Sequence, residues 1–282
     1  MIEVLHPGFY STIQDLGRFN YINFGVPISG PMNAYSANHA NAILGNNINS
    51  ALLEMTMTGA KLKFNIDTNI AVTGALMQPL LNDTPVAQGE SLEITSGDVL
   101  SFGRLTKGFR TYLAIKGGLD SEVMLQSRSM YAGITSRQYL IKNQILKILP
   151  ESNISELINT NSFFSILDKK EIEVFKGPEF GMLSEIQKES LFSSIFTVSK
   201  YNNRMAYQLE NTLENDLESI LTAPVLPGTV QLTPSGKMII LMRDCQTTGG
   251  YPRILQLSEE AINVMAQKMA GNEIQFKELE YS

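Results

Sequence analysis

The chain has 282 residues, 43% of them hydrophobic and 18% charged, so it carries enough apolar material for real cores and too little charge for a disordered chain. That length fits one large domain or two closely packed ones, and two are expected. A net charge of -6 without any lysine or arginine run excludes a nucleic-acid footprint and a polybasic membrane patch.

The start, Met1-Ile2-Glu3-Val4-Leu5, lacks the basic flank and apolar core of a signal peptide. No apolar stretch is long enough to cross a bilayer, so a cytoplasmic protein with no membrane or nucleic-acid partner is expected. The first fifty residues are punctuated by Gly8, Gly17, Gly25, Pro27, Gly30 and Pro31, a pattern of site loops more than of core. A short helix is predicted from Asn33 to Leu44, capped by Asn33 and closed by Gly45, with Ala37, Ala40, Ile43 and Leu44 on its apolar face. From Ala60 the period switches to two. Leu62, Phe64 and Ile66 alternate with polar residues, as do Leu92 and Ile94, and Val99 to Phe102 and Thr111 to Lys116 continue the short apolar runs.

The Ser- and Asn-rich segment Glu151 to Lys169 reads as a linker. Beyond it, strands are predicted at Glu171 to Phe175 and Phe196 to Ser199. A hairpin is predicted from Thr229-Leu232 and Met238-Met242 around Pro234-Ser235-Gly236. A last helix begins at Ser258, with Glu259 and Glu260 in its first turn and Ile262, Met265 and Met269 on one face. Short strands with frequent turns argue for closed, mainly β architecture in two halves: 1–155 with the site loops, and 156–282 with the C-terminal helix.

Three kinds of local sequence offer chemistry. Asp244-Cys245-Gln246-Thr247-Thr248-Gly249-Gly250-Tyr251-Pro252 follows an apolar strand directly, which sets carboxylate, amide and hydroxyl groups at a strand end while glycines let backbone N–H groups approach a ligand. The bland alternative is a decorated turn. Gln14-Asp15-Leu16-Gly17-Arg18, with Ser29-Gly30-Pro31-Met32, presents a salt bridge fixing a loop or a general base beside an anion clamp, and the residues alone favour the salt bridge. Arg128 in Ser127-Arg128-Ser129, and Arg204 after Asn203, place one planar guanidinium each among small polar side chains, suited to carboxylate or phosphate oxygens. The Gly-Lys pair in Thr233-Pro234-Ser235-Gly236-Lys237 lacks the glycine spacing of a phosphate-binding loop. A single cysteine, Cys245, and two histidines, His6 and His39, leave no zinc cluster and no internal disulfide.

Taken in order, Thr12 to Arg18, Ser29 to Met32, Ala40-Asn41-Ala42-Ile43-Leu44-Gly45-Asn46, Leu53-Glu54, Tyr112 to Gly118, Gly177-Pro178-Glu179, Asn203-Arg204-Met205, Leu226 to Gln231 and Gln246 to Pro252 resemble the allophanate hydrolase subunit 2 family, also called the KipA or biotin-dependent carboxyltransferase family. The resemblance implies cyclophilin-like β barrels. It implies the activity of the C-type component of an ATP-dependent 5-oxoprolinase, with ATP and Mg2+ in the assembled complex and a small-molecule substrate. The implied partners are a KipI-like B-type component of the allophanate hydrolase subunit 1 class and the A-type component of the oxoprolinase, in a hetero-oligomer. Alternatives within the family are a regulator that antagonises a KipI-like kinase inhibitor, and a carboxyltransferase served by biotin. Under the first reading, Arg18, Arg128 and Arg204 would contact anions, and Asp15 and Asp244 would act as general-base or metal carboxylates. Gln14, Ser29, Gly30, Asn203, Gln246, Thr247, Thr248, Gly249 and Tyr251 would contact substrate, with no certain metal ligand. The chain departs from the family pattern at Gln208, at Lys142-Asn143 and at Thr222-Ala223-Pro224.

Overall fold

The computed structural model describes residues 1–150 and 163–280. The chain divides into two compact units, one formed by residues 1–19 with the described part of 29–167, the other by residues 20–28 with the described part of 168–282. The division expected at 155/156 lies outside the described residues, as does most of the predicted linker. Residues 20–28 group with the second unit.

The first unit contains two antiparallel sheets. One runs in the order Leu119–Asp120, Ile145–Ile148, Ile2–His6, Lys61–Phe64, Val99–Phe102, Pro79–Leu81, Thr84–Pro85, and the other Tyr10–Gln14, Leu52–Thr56, Lys107–Ile115, Thr68–Leu76, Ser91–Ile94. Strand alternation explains how the sheets pack. Leu53, Met55, Leu113 and Ile115 join Ile2, Val4, Leu62, Phe64 and Leu100 in one core. Their neighbours Leu52, Tyr112 and Ala114 face the other way and pack against Ala37 and Ala40 of helix α1, Ala34–Ile43, and against Leu44, which caps its C-terminal end. The Asn33 side chain caps α1 by accepting from the Ser36 N–H at 3.0 Å, as the sequence predicts. Both faces of the Leu52–Thr56 strand are buried, which is why its sequence does not alternate. The opening fifty residues are less loop-like than expected: Ile2–His6 and Tyr10–Gln14 are strands, and Ile2, Val4 and Ile13 are core.

The second unit closes as a barrel in the order Glu171–Lys176, Arg253–Leu257, Thr229–Leu232, Lys237–Leu241, Ala206–Thr212, Phe196–Asn202, Glu273–Glu278. Closure removes unpaired strand edges, and the closing pair, Glu171–Lys176 with Glu273–Glu278, is parallel. The predicted hairpin is present, with Leu232 opposite Met238 and Gly236 at φ 80° in its turn. Helix α2, Glu185–Ser193, is opened by a reciprocal capping box of Ser184 and Gln187. Helix α3, Glu259–Met265, is capped by Ser258. It is shorter than expected, because Met269 lies beyond its end. No described helix is long and apolar enough to cross a membrane.

Candidate functional site

Most residues singled out by sequence fall into two clusters, one in each unit. In the first unit the Tyr10–Gln14 strand delivers Asp15, 5% exposed, to a turn formed by residues 127–129. Asp15 Oδ1 accepts from Ser127 Oγ at 2.5 Å, Ser129 Oγ at 2.7 Å and the Gly17 N–H at 3.0 Å, and Oδ2 accepts from the Arg128 N–H at 2.6 Å. Four donors on one buried carboxylate lock the turn to the strand end, a charge-assisted arrangement worth more than neutral bonds. Arg18 is fully buried and donates from Nη2 to the Ser129 carbonyl, clamping the same turn from the other side. The Arg128 side chain points elsewhere, with Nη1 donating to Asp120 Oδ1 at 3.0 Å.

Gln14 is buried beside this turn. Its Nε2 donates to Thr12 Oγ1 at 3.0 Å, while its Oε1 has no hydrogen-bond partner among the described residues. Ser29 and Gly30 both have positive φ, 60° and 84°. A Cβ on Gly30 would lie 2.9 Å from the Leu16 carbonyl oxygen, so only glycine lets this turn approach Asp15-Leu16. Just beyond it, the Met32 N–H donates to Glu54 Oε2 at 2.7 Å and the Asn33 N–H to Tyr112 Oη at 2.8 Å. Tyr112 itself donates to Glu54 at 2.9 Å, and Arg110 lies 3.8 Å from the other Glu54 oxygen. Burial, and then the Glu54 charge, push the Tyr112 phenol well above its ordinary range. Sequence reasoning missed this network. The signal is Glu54 inside the apolar run Leu52-Leu53-Glu54-Met55: a charge there must be paired.

In the second unit Arg204, 5% exposed, and Asp244, 8% exposed, form a bidentate pair, Nε to Oδ2 at 2.7 Å and Nη2 to Oδ1 at 3.1 Å. The Asp244 N–H also donates to the Arg204 carbonyl at 2.9 Å. The pair thus joins the turn after Phe196–Asn202 to the end of Lys237–Leu241. Asn203 is a turn-former here, its Oδ1 accepting from the N–H groups of Met205 and Ala206. Cys245 is buried, and desolvation followed by the Asp244 charge pushes its thiol up to about 12, so it is no thiolate nucleophile at neutral pH.

Beyond Cys245, Gln246 Nε2 donates to Gln231 Oε1 at 3.4 Å, and Gln246 Oε1 is buried without a partner among the described residues. Thr248–Gly249 pairs with Ala223–Pro224, and a Cβ on Gly249 would lie 2.4 Å from Gln231 Nε2. Thr248 is exposed and Thr247 half-buried, and Tyr251 is 38% exposed. The turn is anchored at its far end by Arg253, which grips Glu179 through Nε at 2.9 Å and Nη2 at 2.7 Å and donates from Nη1 to the Pro224 carbonyl at 2.9 Å. That anchor was also missed as a site feature, although Glu179 and Arg253 flank the glycine motifs in sequence. It places the departure Ala223-Pro224 on the rim of the strand-end turn.

Among the described residues no group of three or more His, Cys, Asp or Glu side chains is arranged to hold a metal ion. The two carboxylates expected for that work are otherwise engaged, Asp15 by four donors and Asp244 by the Arg204 fork. Mg2+ requires open carboxylate oxygens at near-octahedral positions, so these residues do not fit it.

Fold and site together define a mainly β, two-unit protein whose buried ion pairs hold glycine-rich polar turns at strand ends. Residues 24–278 match the family described as carboxyltransferase domain, subdomain A and B, and the chain belongs to that family. It is 30% identical over 281 residues to the C-type component of 5-oxoprolinase from Escherichia coli, covering 98% of this chain and 90% of that protein. It is 45% identical over 131 residues to urea amidolyase of Lachancea kluyveri, covering 46% of this chain and 7% of the relative. The crystal structure of the K. lactis urea amidolyase superposes with a TM-score of 0.90 at 30% identity, over 99% of this chain and 19% of that one.

Proposed function

We propose that this chain is the C-type component of an ATP-dependent 5-oxoprolinase, working with a B-type partner of the allophanate hydrolase subunit 1 class and with the A-type component. The observation that supports this reading most is the extent of the likeness to the Escherichia coli 5-oxoprolinase component, which runs through 90% of that protein. A five-membered lactam is a poor electrophile, and transfer of the terminal phosphoryl group of ATP to its carbonyl oxygen, releasing ADP, activates the ring carbon for addition of water. Breaking of the ring C–N bond then frees the amine and leaves an acyl phosphate, whose hydrolysis gives phosphate and glutamate. The phosphoryl transfer needs a metal ion and positive charge around the moving phosphoryl. Because Asp15 and Asp244 are engaged, we assign ATP and Mg2+ to the partner side of the complex. This chain supplies binding and orientation: Gln246 Oε1 as an acceptor without a partner among the described residues, the Thr247 and Thr248 hydroxyls, and glycine N–H groups, all held by the Arg204–Asp244 and Arg253–Glu179 pairs. A buried acceptor without a partner costs about 1–3 kcal/mol, and an N–H of a bound amide would recover it.

A second reading, carboxyl transfer to a small amide, is favoured by the close superposition on urea amidolyase. Under it, carboxybiotin arrives on a separate carrier and is a substrate. Glutamate formation from 5-oxoproline by the assembled complex tests the two. Glutamate that appears only when this chain is present supports the oxoprolinase. Biotin-dependent carboxylation of urea supports the alternative, and tight partner binding with neither reaction supports a regulatory role.

A further inference from the structure

The first unit holds a cavity of about 160 Å³ that shares no residue with the strand-end turn of the second unit. Its floor is apolar: Ile13, Met130 and Leu146 are all buried core residues. Its wall is a set of donors. Arg128 is fixed at both ends, its main-chain N–H on Asp15 at 2.6 Å and its Nη1 on Asp120 at 3.0 Å and on the Ser121 carbonyl. This leaves Nε and Nη2, the other edge of the guanidinium fork, without a partner among the described residues, on a side chain only 21% exposed. Ser121 Oγ, also lining the cavity, is buried and has no hydrogen-bond partner among the described residues. Arg137 adds a second positive charge at the exposed rim.

Two carboxylates, Asp120 and Glu122, line the same wall. Asp120 is paired with Arg128, and Glu122 accepts from the Ser136 N–H at 2.8 Å, a bond that lowers its pKa. Glu122 stays ionised at the exposed rim, where Arg137 carries the opposite charge, and the deeper wall presents the Arg128 edge and the Ser121 hydroxyl above an apolar floor. A pre-oriented guanidinium edge matches a carboxylate in a bidentate fit, and a nearby hydroxyl donor completes the recognition. A volume of about 160 Å³ equals roughly five water volumes, which admits a body of on the order of five to ten heavy atoms.

We propose that this cavity is a binding site for a small carboxylate with a compact, mainly apolar body, its carboxylate held by Arg128 and Ser121 and drawn in by Arg137. Occupancy would be felt at the Asp15 turn, because Arg128 spans the two. The site stands independently of the catalytic reading, since binding is measured on the chain alone.

The test is calorimetric titration of the full chain with 5-oxoproline, with cyclopentanecarboxylate, and with the uncharged amide of 5-oxoproline. Saturable binding of one or both carboxylates, at least about tenfold tighter than the amide, is expected. Which acid binds more tightly tells whether the site reads the lactam as well as the carboxylate. Arg128→Gln should weaken binding about tenfold or more, and because it also loosens the Asp120 contact, the double variant Ser121→Ala/Arg137→Gln on the cavity wall and rim serves as the second probe and should weaken binding severalfold. Absence of saturable binding by both acids overturns the proposal. So does equal binding of the amide, or an affinity unchanged in the double variant.

Discussion

Asp15 and Asp244 look alike in the sequence, each an acid near an arginine and a glycine, yet they do different work. Asp15 organises a turn through four donors, so Asp15→Asn should cost about 2 kcal/mol of stability, read as a lower denaturant midpoint. Asp244 neutralises a buried guanidinium, and Asp244→Asn would take away the carboxylate charge that the Arg204 fork grips, in a site where neither side chain exceeds 10% exposure. The expected loss is about 3 kcal/mol or more, and Arg204→Met with Asp244→Asn together should lose less than the sum of the two single changes. Cys245 carries a third prediction. With its thiol pushed up to about 12 and buried, it should resist iodoacetamide at pH 8 in the native chain and react once the chain is unfolded in denaturant.

At the scale of elements, legibility follows exposure. Helix α1 and the Pro234-Ser235-Gly236 hairpin were readable because a cap or a turn residue marks their ends. The nine-residue strand Thr68–Leu76 was not, because it is buried on both faces over most of its length and shows no alternation. Helix α2 was overlooked although Ser184-Glu185-Ile186-Gln187 spells a capping box, because only Leu191 on it is buried and its apolar period is faint. Of the site, the glycine-rich turns were legible. The pairings that hold them were not: Glu54, Glu179 and Gln231 stand in the quoted motifs, but each reaches its turn from a distant strand or turn. Gly177 makes the point in reverse: a Cβ there would lie 2.2 Å from the Arg253 carbonyl oxygen, so Gly177→Ala should destabilise by about 1–3 kcal/mol by pushing two backbones apart. Helix α1 also carries a pH dependence. Burial lowers the His39 pKa below 6.5, so the folded chain binds fewer protons there than the unfolded one. His39 therefore costs nothing above its unfolded pKa and costs stability as pH falls below it. Thermal unfolding should show a decline below about pH 6.5 that His39→Gln reduces.

The whole molecule joins a barrel and a pair of packed sheets, each with its own ion-paired turns, in a chain of the carboxyltransferase domain family. On the proposed reading, neither unit carries the metal and nucleotide; the partner does, and this chain shapes the substrate's surroundings. The most direct measurement is phosphate release from ATP by the chain co-expressed with its B-type and A-type partners, with and without 5-oxoproline. Our account predicts release that depends on 5-oxoproline and on the presence of this chain. Release that is indifferent to 5-oxoproline, or none from a folded and fully assembled complex, would contradict it.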